Sequence, residues 1–159
     1  IIEASRLFGM TDDKIDVVIH RESIIHSMIE FVDSSVLAQL SYPDMRIAIQ
    51  YAMTYPHRQI SPVKPLDFTK LSALTFTEPD YDTFRAPLLC RRVLKEGGTH
   101  TAVLNAANEV AVAAFLKGKI GFLQITEFCE KMLNKYENIL NPTIEEIKIT
   151  DNKVRNEII

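Results

Sequence analysis

Two histidines, His20 and His26, stand six residues apart in the stretch VVIHRESIIHSMIEF. Imidazole is the side chain most suited to binding a metal or moving a proton near neutral pH, so this pair is where chemistry would be sought first. The spacing argues against joint ligation. On a helix, six residues turn through about 600°, which points the two rings to different sides. On a straight strand the rings lie about 20 Å apart. A metal pair would need a turn between them. From the residues alone, His20 reads as a strand-end histidine with a backbone hydrogen bond. His26 reads as a half-buried ring beside Ile25 and Met28.

Other candidate groups are equally quiet. Asp12 and Asp13 fall in a predicted turn after Gly9. Glu145 and Glu146 fall in a predicted first helical turn, where carboxylates favour the helix dipole. Both pairs read as solvated or capping residues. No GxSxG occurs and no Ser-His-Asp arrangement is readable. The five glycines build neither GxGxxG nor a P-loop, so the chain carries no nucleotide fingerprint of its own. Cys90 and Cys129 show no spacing that suggests zinc. They are either one disulfide or two buried reduced thiols of a cytoplasmic protein, and the second reading is favoured. Asn105, Asn108 and Glu109 interrupt an Ala-rich helix and read as its polar side, bonded to a neighbouring loop. No convergent polar pocket is visible, which leaves a small ligand-binding domain with little support.

The elements that would position these groups follow from composition and period. A chain of 159 residues that is 47% hydrophobic can bury a core in one ordinary domain or two small ones. Its net charge is −3 and Arg91-Arg92 is a pair rather than a patch, so no electrostatic footprint for nucleic acid exists. No apolar run reaches the length of about 18 residues that a membrane span needs. Ile1, Ala4, Ser5 and Phe8 recur at helical spacing, with Gly9 as a stop. A first residue inside a helical pattern suggests a piece of something longer. Lys14 to His20 is rich in β-branched residues and predicts a buried strand. Ser27 to Val32 and Ser35 to Leu40 predict a hairpin around Asp33-Ser34 that needs cover on both faces. Ser41 is the expected cap of a helix with Pro43 in its first turn and Asp44 completing a capping box; Pro56 ends it.

Residues 57–80 show no period and read as a connection stapled down by Leu66, Phe68, Leu71, Leu74 and Phe76. Four helical patterns follow. They run over Pro87 to Glu96, over Thr101 to Lys117, along the stripe Ile125, Phe128, Cys129, Met132 and Leu133, and from Thr143, with Asp151 expected to re-cap the last. The fold class is α+β: a short β-hairpin segment with covering helices, then a small α-helical bundle. The expected division is 1–56, 57–80 as the link, and 81–159 as the bundle.

The strings VVIHRESIIHSMIEFVDSSVLAQLSYPDMRIAI, VKPLDFTKLSALTFTEPDY and TAVLNAANEVAVAAFL, in this order, strongly resemble the 1-deoxy-D-xylulose 5-phosphate reductoisomerase family. The resemblance covers nearly the whole chain and thins after about residue 120. It implies an enzyme that converts this sugar phosphate to 2-C-methyl-D-erythritol 4-phosphate with NADPH and Mg²⁺ or Mn²⁺. It also implies a homodimer whose Rossmann-type domain precedes a catalytic, dimer-forming domain and a C-terminal helical bundle. This chain would begin just after the family's last metal-binding carboxylate, in NKGLE-V-IEA. Residues 1–56 would then be the remnant of the catalytic domain.

Carried over residue by residue, the family places His26, in IIHSM, at the active-site wall near a mobile flap. Met45, in PDMR, lines the same pocket; Ser23 and Pro43 match neighbouring positions; His20 stays structural. No catalytic residue and no metal ligand is expected in this chain. Neither cofactor is expected to bind it alone, so it should be catalytically silent by itself. The competing reading is a stand-alone helical dimerisation or interaction module that shares only the scaffold. Neither reading involves nucleic acid or a membrane, and both place the chain in the cytoplasm.

Overall fold

The computed structural model describes residues 1–157, and the expected α+β class holds for them. The helices are α1 (Ile2–Phe8), α2 (Met45–Thr54), α3 (Ala86–Glu96), α4 (His100–Leu116), α5 (Leu123–Lys135) and α6 (Ile144–Arg155). The strands β1 (Ile25–Glu30) and β2 (Val36–Leu40) form one antiparallel pair. The chain divides into two compact units: residues 1–16 with the chain from Pro79 onward, and Val17–Glu78.

The first unit is built around α4. Val103, Ala106 and Ala107 on this helix are fully buried, and their small side chains let α5 and α6 approach closely. Met132, Leu133 and Cys129 from α5, Val93 from α3 and Val154 from α6 complete the core. Thr143 and Glu146 form a reciprocal capping box at the start of α6. The expected interruption at Asp151 does not occur. The helix runs on, because the Asp151 carboxylate accepts from Arg155 Nε one turn later, at 2.6 Å, instead of capping backbone.

A polar knot fixes the α3–α4 corner. The buried Thr99 accepts from the Ile139 backbone N–H at 3.0 Å, and Asn138 Oδ1 accepts from the His100 N–H at 3.3 Å. His100 reaches the Tyr136 carbonyl through Nε2 and the Glu96 carboxylate through Nδ1. Across the same unit, Arg91 donates to the Asp12 carboxylate at 2.6 Å and to the Ile15 carbonyl at 2.7 Å, which straps residues 12–15 onto α3.

That strap bears on the one strand expected but not formed. Lys14 closes a short 3-10 turn, and only Ile19 of the Lys14–His20 stretch makes a β-bridge, to Thr77. β-Branched residues favour a pleated surface only where a neighbouring strand supplies one. In the second unit the hairpin forms as expected, with Met28 opposite Ala38, Ile29 opposite Leu37 and Glu30 opposite Val36. The start of α2 is corrected. Asp44, not Ser41, is its cap, accepting from the Arg46 N–H at 2.9 Å. Ser41 is held by β1 instead, its N–H donating to the Ile24 carbonyl at 3.0 Å. The connection before Glu78 is tied down: Gln50 donates to the Ile60 carbonyl, and Ile19 and Thr77 exchange both backbone bonds.

Candidate functional site

The two histidines of the opening stretch are separated by their surroundings. His20 has only 6% of its side chain exposed. Its Nε2 accepts from the Ile24 N–H at 3.1 Å, so the proton sits on Nδ1, which faces the Thr75 carbonyl at 2.9 Å and a Glu22 oxygen at 3.0 Å. The ring stacks on Phe76, 4.8 Å between centroids. Glu22 in turn accepts from the Thr75 hydroxyl at 2.6 Å, and that bond holds its carboxyl below the usual range. Both ring nitrogens of His20 are thus engaged, Nε2 within the 19–24 turn and Nδ1 in joining that turn to Thr75.

His26 is different. Ile25 pairs with Leu40 and Ser27 with Gln39, so β1 carries one extra residue at His26. Such a bulge kinks the strand and re-aims the side chain it carries. The His26 ring is fastened by Nε2 to the Ser41 carbonyl at 3.1 Å, while Nδ1 has no bond among the described residues. A single tether of this kind fixes the plane of the ring and leaves one nitrogen to meet a ligand.

Ser23, just before, adopts a left-handed backbone with φ 50°, and its N–H donates to the His20 carbonyl at 3.3 Å. A left-handed serine is uncommon and here makes the turn that leads from His20 to the bulge. Beyond Ser41, Pro43 and Met45 follow at the exit of β2. Met45 is 72% exposed. Next to it, Arg46 clamps Asp44 through two guanidinium nitrogens, which lowers the Asp44 carboxyl to about 2. The structure therefore lays the Ser23–His26 segment against Ser41. No hydrogen bond or ring stacking joins Pro43 or Met45 to His26 among the described residues.

The wall is apolar and open. Met28, Ile29, Val36 and Leu37 of the hairpin are exposed, as are Ile49 and Met53 of α2. Sequence reasoning missed the bulge and the Ser41 tether. The signal was present as the break in alternation at Ile24-Ile25-His26. Chemically, His26 is a single imidazole tethered through one nitrogen. It offers no nucleophile–base pair. Among the described residues no three His, Cys, Asp or Glu side chains converge on a metal position, so the residues present do not fit a divalent cation.

Comparison with known proteins bears on the chain as a whole. Residues 40–157 match the family model described as DXP reductoisomerase C-terminal domain. Over 159 residues the chain is 56% identical to the 1-deoxy-D-xylulose 5-phosphate reductoisomerase of Caldanaerobacter subterraneus, covering 99% of this chain and 42% of that protein. The corresponding protein of Clostridium botulinum is 49% identical over 155 residues, 98% of this chain and 40% of its own length. The Zymomonas mobilis reductoisomerase solved with NADPH superposes with a TM-score of 0.89 at 44% identity, covering 96% of this chain and 40% of that one. A DOX-P reductoisomerase solved with NADPH, fosmidomycin and magnesium gives a TM-score of 0.89 at 40% identity, with the same coverage. The chain thus spans about two fifths of the length of the curated relatives it matches.

Proposed function

Since the chain belongs to the 1-deoxy-D-xylulose 5-phosphate reductoisomerase family, we propose that it supplies the C-terminal part of an NADPH- and Mg²⁺- or Mn²⁺-dependent enzyme. The reaction would convert 1-deoxy-D-xylulose 5-phosphate to 2-C-methyl-D-erythritol 4-phosphate on the non-mevalonate route to isoprenoids. Within it, residues 1–56 belong to the catalytic, dimer-forming domain, 57–80 form the link, and 81–159 make the C-terminal bundle. The enzyme works as a homodimer in the cytoplasm. No helix among the described residues is long and apolar enough to cross a membrane.

The observation that carries the reading is the His26 bulge, tethered to Ser41 at the entrance to the Met45 helix. It supports a wall that shapes the substrate pocket: His26 orients or closes it, Met45 gives it a soft apolar surface, and Ser23 and Pro43 set the backbone on either side. In the whole enzyme a bound cation would supply polarisation of substrate oxygens and NADPH would supply hydride, and neither group is assigned to residues of this chain. A wall without those groups positions nothing for reaction, so the chain alone is silent.

The test compares this chain alone with the same chain joined to the front three fifths of a relative. NADPH oxidation is followed with Mn²⁺ and the sugar phosphate. The joined protein turns over and the chain does not. His26→Ala in the joined protein lowers kcat/KM. Turnover by the chain alone, or an unchanged kcat/KM in the variant, refutes the assignment.

A further inference from the structure

The first unit holds a cavity of about 450 Å³ between α1, α3, α4 and α5, within the size range of small-molecule sites. Its floor is apolar: Leu89, Leu104 and the buried thiol of Cys129. Its rim carries the amides Asn105 and Asn108, which sequence reasoning assigned to loop contacts, and the carboxylate of Glu3.

A donor and acceptor count decides what fits. Asn105 spends one of its two amide N–H donors on Glu109 at 2.9 Å, leaving the other and its carbonyl oxygen. The hydroxyls of Thr101 and Thr126, also on the lining, each donate to a backbone carbonyl, leaving oxygen lone pairs. Glu3 has no ion pair among the described residues and is the one charged residue of the lining. Acceptors and a negative charge therefore stand above an apolar floor. Asn105 keeps one amide N–H and Asn108 both of its own, but neither carries charge to set against Glu3.

The geometry points to a binding site for a short free aliphatic amine. The ammonium meets Glu3 and the Asn105 carbonyl, and the alkyl chain lies on Leu89 and Leu104. Charge complementarity selects this occupant: an anion would face Glu3 with no cation on the lining to compensate, and a neutral chain would leave that carboxylate without a counter-charge. The site is independent of the His26 wall and of the proposed reaction.

The test titrates n-hexylammonium, hexanol and hexanoate into the isotopically labelled chain and follows the amide resonances of Leu89, Cys90 and Leu104. Hexylammonium gives saturable shifts, hexanoate gives none, and hexanol binds at least about tenfold more weakly, the loss expected for one charge-assisted bond. Glu3→Gln weakens hexylammonium by a similar factor. A second readout covers the case in which Glu3→Gln loosens α1: in the unaltered chain, hexylammonium slows alkylation of Cys90 by iodoacetamide and hexanol does not. Absence of shifts, equal binding of hexanol, or an unprotected Cys90 overturns the proposal.

Discussion

Gly98→Ala is expected to destabilise the helical unit far more than its size suggests. Gly98 has φ +60°, a backbone that costs an alanine about 1–2 kcal/mol. The added Cβ would also lie 2.3 Å from Asn138 Oδ1 and 2.5 Å from the Ile139 carbonyl oxygen. The Asn138 side chain can swing away, but it then gives up its bonds to the His100 N–H and the Glu96 carbonyl. Those bonds are long, so their combined loss is set at about 1–2 kcal/mol. The Ile139 carbonyl belongs to the backbone that bonds Thr99 and cannot move alone. The total is about 2–4 kcal/mol. Gly118→Ala is the control: its φ is +69° and nothing lies within 4 Å, so only the backbone cost remains. Urea unfolding followed by far-UV circular dichroism separates the two. With an m-value of about 1–3 kcal/mol per M, Gly98→Ala lowers the midpoint by about 1–2 M and Gly118→Ala by about half as much. Equal midpoints for the two variants would refute the reasoning that the Asn138 knot closes this corner.

Four further outcomes follow from the contacts. His20→Gln removes the Phe76 stack and disturbs the bonds to Ile24 and Thr75, so amide exchange at Ile19 and Thr77 accelerates while α4 and α5 stay protected. Thr143→Ala breaks the capping box and costs about 1 kcal/mol in the same urea assay. Burial pushes the Cys129 thiol up to about 11, with neighbouring Cys90 adding to it, so at pH 8 mass spectrometry finds Cys90 alkylated well before Cys129. Asp44 is depressed, first by its bonds to Arg46, so its contribution to α2 is complete above the ordinary aspartate range near 3.8 and disappears as the pH falls through about 2. A carboxyl titration of Asp44 by NMR with a midpoint near 3.8 would show that the clamp is absent in solution.

Much of the fold was legible because its signals are local. Helical spacing with a following glycine located α1, and the Ile125 to Leu133 stripe located α5. Thr143 and Glu146 announced their own cap. The failures share a cause: the deciding partner is remote in sequence or competes locally. Lys14 to Val18 is not a strand because nothing pairs with it, and Arg91 instead holds the Asp12 and Ile15 carbonyls. Ser41 had the right chemistry for a cap, but the bond from its N–H to Ile24 keeps it with β1, and Asp44 takes the role. For the site, motif strings singled out His26, while its bulge depends on the pairing register with Gln39 and Leu40, which no single strand encodes.

The strap from Arg91 to Asp12 and Ile15 makes the helical unit discontinuous along the chain. A ribosome releases α1 and the 12–15 stretch before all of Val17–Glu78, and only after both the guanidinium that receives them. Within this unit, the residues made before Val17–Glu78 are thus among the last able to reach their final contacts. Helices α4, α5 and α6 are consecutive, and α5 and α6 both pack on α4, so they can consolidate as soon as they emerge. In vectorial synthesis the order of assembly runs backward relative to the order of translation. Until α3 emerges, the nascent α1 has no partner of its own unit to pack on.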